Sequence, residues 1–142
     1  MNNIIFSRKT TFVRYGGRHF RFSVYSVFSD RSSIGIGFGK SSNFSDAISK
    51  SFENSKKESF KIKVKKNTFP FETGARVCKT NIRIIPTDKD TGIVAGDIIR
   101  IIFKNTKIKN LYSKVFGSKN KVNTIKAIII ILKKIKLSKK KK

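Results

Sequence analysis

Gly35, Gly39, Lys40 and Ser41 nearly spell a loop that cradles nucleotide phosphates. That motif needs four residues between its glycines, so that backbone N–H groups converge on phosphate and the lysine reaches it. The first glycine would have to stand at position 34, which holds Ile34. Ile34, Ile36 and Phe38 alternate strictly with Gly35, Gly37 and Gly39, which writes a β-strand instead. Glycine at every second position bares the backbone on one face, so another surface must approach closely. A packed helix or an RNA backbone would serve.

The other reactive side chains lack partners for chemistry. His19 stands beside strand core positions with no nearby Ser, Cys or carboxylate, and reads as a half-exposed strand residue. Asp88 and Asp90 sit in a polar turn, and two loop carboxylates make neither a metal site nor an acid/base pair. Cys78 reads as a strand residue; one Cys and one His cannot build a Cys/His zinc site or a disulfide framework. Thr91, Gly92 and Gly96 precede a helix whose free N–H groups suit an anion, but Asp97 at that end opposes one. No catalytic constellation is left, and no cofactor or metal is expected.

Binding chemistry is better supplied. Gly16 and Gly17 allow backbone geometries that other residues resist, and Arg14 and Arg18 beside them can grip phosphates bidentately. Arg14, Arg18, Arg21, Arg31 and Lys40 are the leading candidates for phosphate contact. The whole chain agrees: 33 Lys and Arg face 8 Asp and Glu in 142 residues, a net charge of +25. Such a charge destabilises a compact monomer and favours a polyanionic partner, nucleic acid first. It divides as +10 over residues 1–66 (14 basic, 4 acidic) and +15 over residues 67–142 (19 basic, 4 acidic). Lysine outnumbers arginine 25 to 8 and isoleucine occurs 21 times, so part of the excess reads as A/T coding bias, as in reduced bacterial or organellar genomes.

These residues need elements to hold them. A hydrophobic fraction of 38% with thirteen Phe is too apolar for a disordered basic tail. The N-terminus has no signal-like apolar stretch, and the run Ala127 to Leu132 is too short to cross a bilayer; a soluble intracellular protein is expected. A strand over Ile4 to Thr11, a loop over Phe12 to Arg18, and a strand with Phe20, Phe22, Val24 and Phe28 on its core face are predicted. The glycine-alternating strand follows, then a helix capped by Asn43 or Ser45 with Phe44, Ala47, Ile48, Ser51, Phe52 and Ser55 on one side. This is a β-β-β-α unit of residues 1–66, bounded near Lys66. A second α+β unit, residues 67–137, has strand material over Val77 to Ile85, a turn over Thr91 to Gly96 and a short helix with Ile98, Ile99, Ile101 and Ile102. A strand over Leu111 to Phe116 and a last helix with Val122, Ile125, Ile128, Ile129 and Leu132 inward complete it. Residues 138–142 form a basic tail expected to be disordered.

Gly16-Gly17-Arg18, Phe20-Arg21-Phe22 and Ile36-Gly37-Phe38-Gly39-Lys40 resemble the signature of bacterial-type small-subunit ribosomal protein five. Thr91-Gly92-Ile93-Val94-Ala95-Gly96, Arg100 and Gly117-Ser118-Lys119-Asn120 with Asn123 resemble that family's C-terminal motifs, in order and spacing. Asp97 stands where a small residue is usual, and Lys121 replaces the usual proline. The resemblance implies a double-stranded-RNA-binding-like first domain and a β-β-α-β-α second domain, of a type shared with some kinases without their activity. It implies a structural, non-enzymatic constituent of the small ribosomal subunit that binds 16S-type rRNA near the side where messenger RNA enters. Contacts with the fourth and eighth small-subunit proteins and a role in translational accuracy come with it. The implied RNA-binding set adds Arg8, Lys9, Gly16, Gly17, Ser118, Lys119, Asn120 and Asn123 to the five cations above; Gly92 and Arg100 match positions facing the fourth protein. The competing readings are a free-standing double-stranded-RNA binder or RNA chaperone and, third, an enzyme of the kinase-like fold.

Overall fold

The computed structural model describes residues 2–30, 33–62, 67–88, 90–104, 106 and 108–137. The chain divides into two compact units, Met1–Ser29 with Ser33–Phe60, and Asp30–Ser32 with Lys61–Lys142. Lys66, where the sequence suggested a boundary, and the tail 138–142 lie outside the described residues.

The first unit is built on a sheet in the order β1-β2-β3-β4, antiparallel from β1 to β2 and from β2 to β3, with one helix on one face. Its strands are β1 (Asn2–Arg14), β2 (Gly17–Ser29), β3 (Ser33–Ser41) and the two-residue β4 (Phe60–Lys61). The segment Phe12 to Arg18, expected as a loop, is instead the far end of a long hairpin, with Arg14 paired to Gly17. Only Tyr15 and Gly16 turn the chain. Gly16 carries φ +95 and Gly17 φ +117, so the turn depends on backbone that L side chains rarely adopt. The arginines and glycines that suggested a loop are offset by directly opposed rings: Phe12 pairs with His19, their centroids 5.8 Å apart. A bulge between Ile4 and Phe6 interrupts the register, and Ile5 there is buried.

The helix α1 (Phe44–Lys57) explains the glycine strand. Its buried residues are Ala47, Ser51 and Ser55, one small side chain per turn. Cβ atoms built on Gly35, Gly37 and Gly39 would overlap the carbonyl oxygens of Ser55, Ser51 and Ala47 respectively. Helix and strand thus close like a zipper run in opposite senses, backbone almost on backbone. The close-approaching surface is the helix, not an RNA, and the near-match to a phosphate loop is a packing surface. Ser51 and Ser55 satisfy their hydroxyls on the helix's own carbonyls, Ile48 at 2.8 Å and Phe52 at 2.7 Å. Asn54 Nδ2 donates to the Phe38 carbonyl at 2.8 Å, tying the helix to β3. Asn43 holds the N-cap position, although its side chain makes no cap bond.

The second unit has a sheet in the order β5-β6-β8-β7, antiparallel except for the parallel β7–β8 pair. Its strands are β5 (Thr73–Val77), β6 (Thr80–Ile85), β7 (Ile93–Val94) and β8 (Leu111–Gly117). The material expected as one strand from Val77 is a hairpin, and Cys78 is not a strand residue: it turns the chain with φ +53. Arg76 Nε donates to the Cys78 carbonyl at 3.1 Å and supports that turn. Between β7 and β8 runs α2 (Asp97–Phe103), and α3 (Lys121–Leu137) follows β8. The core joins Ile82, Ile84 and Leu111 of the sheet to Ile99, Ile102 and Phe103 of α2, and to Ile125, Ile128, Ile131 and Leu132 of α3. Ile129, expected inward, is only half-buried; Ile131 and Ile135 take the inner positions.

Candidate nucleic-acid interface

Residues 2–29 contain no Asp or Glu, so whatever charge the β1–β2 hairpin presents is positive. Strand alternation decides where it goes. Gly35, Gly37 and Gly39 face α1, so their neighbours Ile36, Phe38 and Lys40 face the opposite side. Lys40 pairs with Ser23, and Ser23 with Arg8, which puts Arg8 and Lys40 on that helix-free face. Arg21, paired with Thr10, and Arg14, paired with Gly17, belong to the same face. Lys9 and Arg18 fall on the other. The six cations are therefore divided four to two between the faces, a split that the one-dimensional motif does not reveal.

Phe12 organises the helix-free face. The Arg21 guanidinium carbon lies 4.8 Å from its ring centroid and that of Arg14 lies 5.3 Å away. Guanidinium stacked on a ring keeps its outward N–H fork for a phosphate and loses less entropy on binding one. Thr10 Oγ1 donates to the Arg21 carbonyl at 3.2 Å and fixes the strand beneath. Further in, Tyr25 lies between Phe6 and Phe38, with centroids 6.5 and 4.8 Å away. Burial raises the Tyr25 phenol pKa above its usual value of 10.0, so this patch stays uncharged at neutral pH. On the other face Lys9 Nζ sits 4.1 Å from the Phe20 centroid and 5.8 Å from that of Phe22. Phe12, Phe20 and Phe22 are the residues that motif reading undervalued. The alternation Arg8, Thr10, Phe12, Arg14 against His19, Arg21, Ser23 carries the signal once the segment is read as strand. Arg31 lies outside the described residues.

The C-terminal candidates form a tight turn into α3. Gly117, at φ +79, lets the chain pass the Lys79 carbonyl, which accepts the Ser118 N–H at 3.0 Å. Thr80 Oγ1 donates to the Ser118 carbonyl at 2.9 Å, and Ser118 Oγ accepts the Asn120 N–H at 3.3 Å. Asn120 caps the helix: its Oδ1 accepts the Val122 N–H at 3.1 Å. Ser118 and Asn120 thus have structural work of their own, while Lys119 is exposed and Asn123 half-buried in the first turn. Asn120→Ala is expected to lower stability by about 1 kcal/mol, the usual value of such a cap, and Asn120→Ser to restore most of it. Thermal unfolding of the full chain measures both.

Gly92 leads into β7, and Arg100 lies on α2. Gly92, at φ +73, donates to Asn110 Oδ1 at 3.2 Å and accepts from the Leu111 N–H at 3.0 Å, locking the start of β7 onto β8. Arg100 stands exposed on α2.

Residues 2–63 match the family model described as "Ribosomal protein S5, N-terminal domain", and residues 75–141 match "Ribosomal protein S5, C-terminal domain". The chain is similar to the "Small ribosomal subunit protein uS5" of Karelsulcia muelleri, 38% identical over 126 residues, covering 87% of this chain and 74% of that protein. It is similar to the protein of the same name from Treponema denticola, 38% identical over 120 residues, with 84% and 69% covered. The Borreliella burgdorferi protein of that name is 33% identical over 128 residues, with 89% and 78% covered.

Proposed function

Because the chain belongs to the ribosomal protein S5 family, structural and non-enzymatic constituents of the small ribosomal subunit, we propose that it binds folded small-subunit rRNA through its β1–β2 hairpin. The observation that carries this reading is the acid-free face on which Arg8, Arg14, Arg21 and Lys40 stand, two of them stacked on Phe12. Cations spread along three neighbouring strands suit successive phosphates of a helical backbone, and rings among them suit a displaced base. The recognition is of shape and phosphate rather than of base sequence. Contacts with the fourth small-subunit protein through Gly92 and Arg100, contact with the eighth, and support of accurate decoding near the side where messenger RNA enters belong to the same reading.

The chain is expected to co-sediment with small subunits at moderate salt. A variant carrying Arg14→Ala and Arg21→Ala should be strongly under-represented in them while its thermal unfolding stays close to that of the parent. Equal occupancy of the subunit by both proteins refutes the hairpin as the main contact.

A further inference from the structure

The second unit has a sheet face that neither helix covers. Inward, Thr80, Ile82, Ile84 and Leu111 are buried, and α3 packs on β5 and β6 from that side. Outward, β8 presents Tyr112, Lys114 and Phe116 at a spacing of two, with Tyr112 37% and Phe116 45% exposed. The neighbouring strand adds Arg83, directly opposite Lys114 in the register. Like charges placed opposite each other on a sheet repel. The strands β5, β6, β7 and β8 contain no Asp or Glu to relieve them. Such a pair, set between two exposed rings on a central strand, is stabilised by an anion brought from outside.

We infer that this face binds a single-stranded segment of RNA, with bases stacked on Tyr112 and Phe116 and the backbone neutralised by Arg83 and Lys114. The class of partner follows from the combination. Phosphate alone would not require exposed rings, and an apolar protein surface would not tolerate two unpaired cations at its centre. Unstacked bases on aromatic platforms with cations between them satisfy both, whatever their sequence. The two rings stand on the open face of a sheet, which is too broad for the narrow major groove of an RNA duplex, so loops or bulges are favoured over helices. The inference rests on the chain being an RNA binder, but it uses a different surface from the hairpin.

The test uses the full chain, a labelled oligouridine of about twelve nucleotides and an RNA duplex of about sixteen base pairs. Tyr112→Ala with Phe116→Ala should weaken oligouridine binding at least about tenfold, from the loss of two stacking contacts. Duplex affinity should change less than about twofold, and Tyr112→Phe with Phe116→Tyr should restore the single-strand affinity. Arg14→Ala with Arg21→Ala should give the converse pattern. Unchanged oligouridine binding in the double alanine variant overturns the inference, as does an equal loss for both RNAs. So does a parent protein that self-associates in sedimentation through these two rings, since the occupant is then a second copy. A parent that binds duplex but not oligouridine sinks this inference alone, whereas one that binds neither removes the rRNA reading as well.

Discussion

Gly37→Ala is expected to destabilise the first unit by more than about 4 kcal/mol, a size confined to severe lesions. The usual expectation for such a change in a strand is mild or even favourable, since alanine restricts the unfolded chain more than glycine does. Here the added Cβ itself is the problem. It would overlap the Ser51 carbonyl oxygen and the Ser55 backbone nitrogen and approach the Ser55 Cα to 2.8 Å. Those are helix backbone atoms, so no rotamer change and no truncation of Ser51 or Ser55 relieves the overlap. The helix must lift from the sheet, exposing Val24 and Ala47, both fully buried. Gly96→Ala is the control: Gly96 has φ −64 and nothing near its Cβ position, so a change within about 1 kcal/mol is expected. Guanidinium unfolding of the full chain, followed by circular dichroism, should show a much earlier transition for Gly37→Ala and nearly none of that shift for Gly96→Ala. Coincident transitions for the parent and Gly37→Ala would show that α1 is not seated as described.

The same residues show what sequence can disclose. The period-two glycines demanded a close neighbour, and the helix offering Ala47, Ser51 and Ser55 at a spacing of four was visible beside them. Pairing the two motifs required only the knowledge that the helix lies along the strand. The hairpin was harder, because Arg14, Gly16, Gly17 and Arg18 look like loop composition. Its strand character comes from cross-strand partners, Phe12 with His19 and Thr10 with Arg21, which are remote in sequence. Cys78 has no local signature of its turn, because a non-glycine residue at φ +53 is set by tertiary contacts; the turn is held by Arg76 and by the close passage of Gly117 past Lys79. In α3 the run from Ala127 to Leu132 is apolar at every position and has no phase of its own. The exposed Lys126, Lys133 and Lys134 supply it, and they direct Ile131 inward and Ile130 outward. Among the candidate site residues, motif order found the cations, but only the register divided them between two faces and gave Asn120 its capping role.

The largest effect on binding should come from removing Arg8, Arg14, Arg21 and Lys40 together, each replaced by alanine. If each neutralises one phosphate of a duplex, the log–log salt slope should become shallower by about 3.6, four contacts at about 0.9 each. At about 0.1 M salt a change of that size amounts to roughly three orders of magnitude in affinity. All four side chains stand on the helix-free face, and Arg8, Arg14 and Lys40 are exposed, so the fold should tolerate the change better than the affinity does. Deleting residues 138–142 removes the same number of positive charges, the lysines from Lys139 to Lys142. A purely electrostatic account gives the two variants equal slopes and equal losses on every RNA. The geometry gives a different expectation: guanidiniums held over Phe12 at fixed strand positions present a defined pattern to a folded backbone, whereas a run of lysines suits any polyanion. The fourfold alanine variant should therefore lose its preference for small-subunit rRNA over an unrelated transcript of equal length, and the shortened chain should keep that preference while binding both more weakly. Binding titrations of both variants against both RNAs, from about 50 to 200 mM salt, separate charge that attracts RNA from charge that recognises it. Equal loss of preference in the two variants would place recognition outside the hairpin.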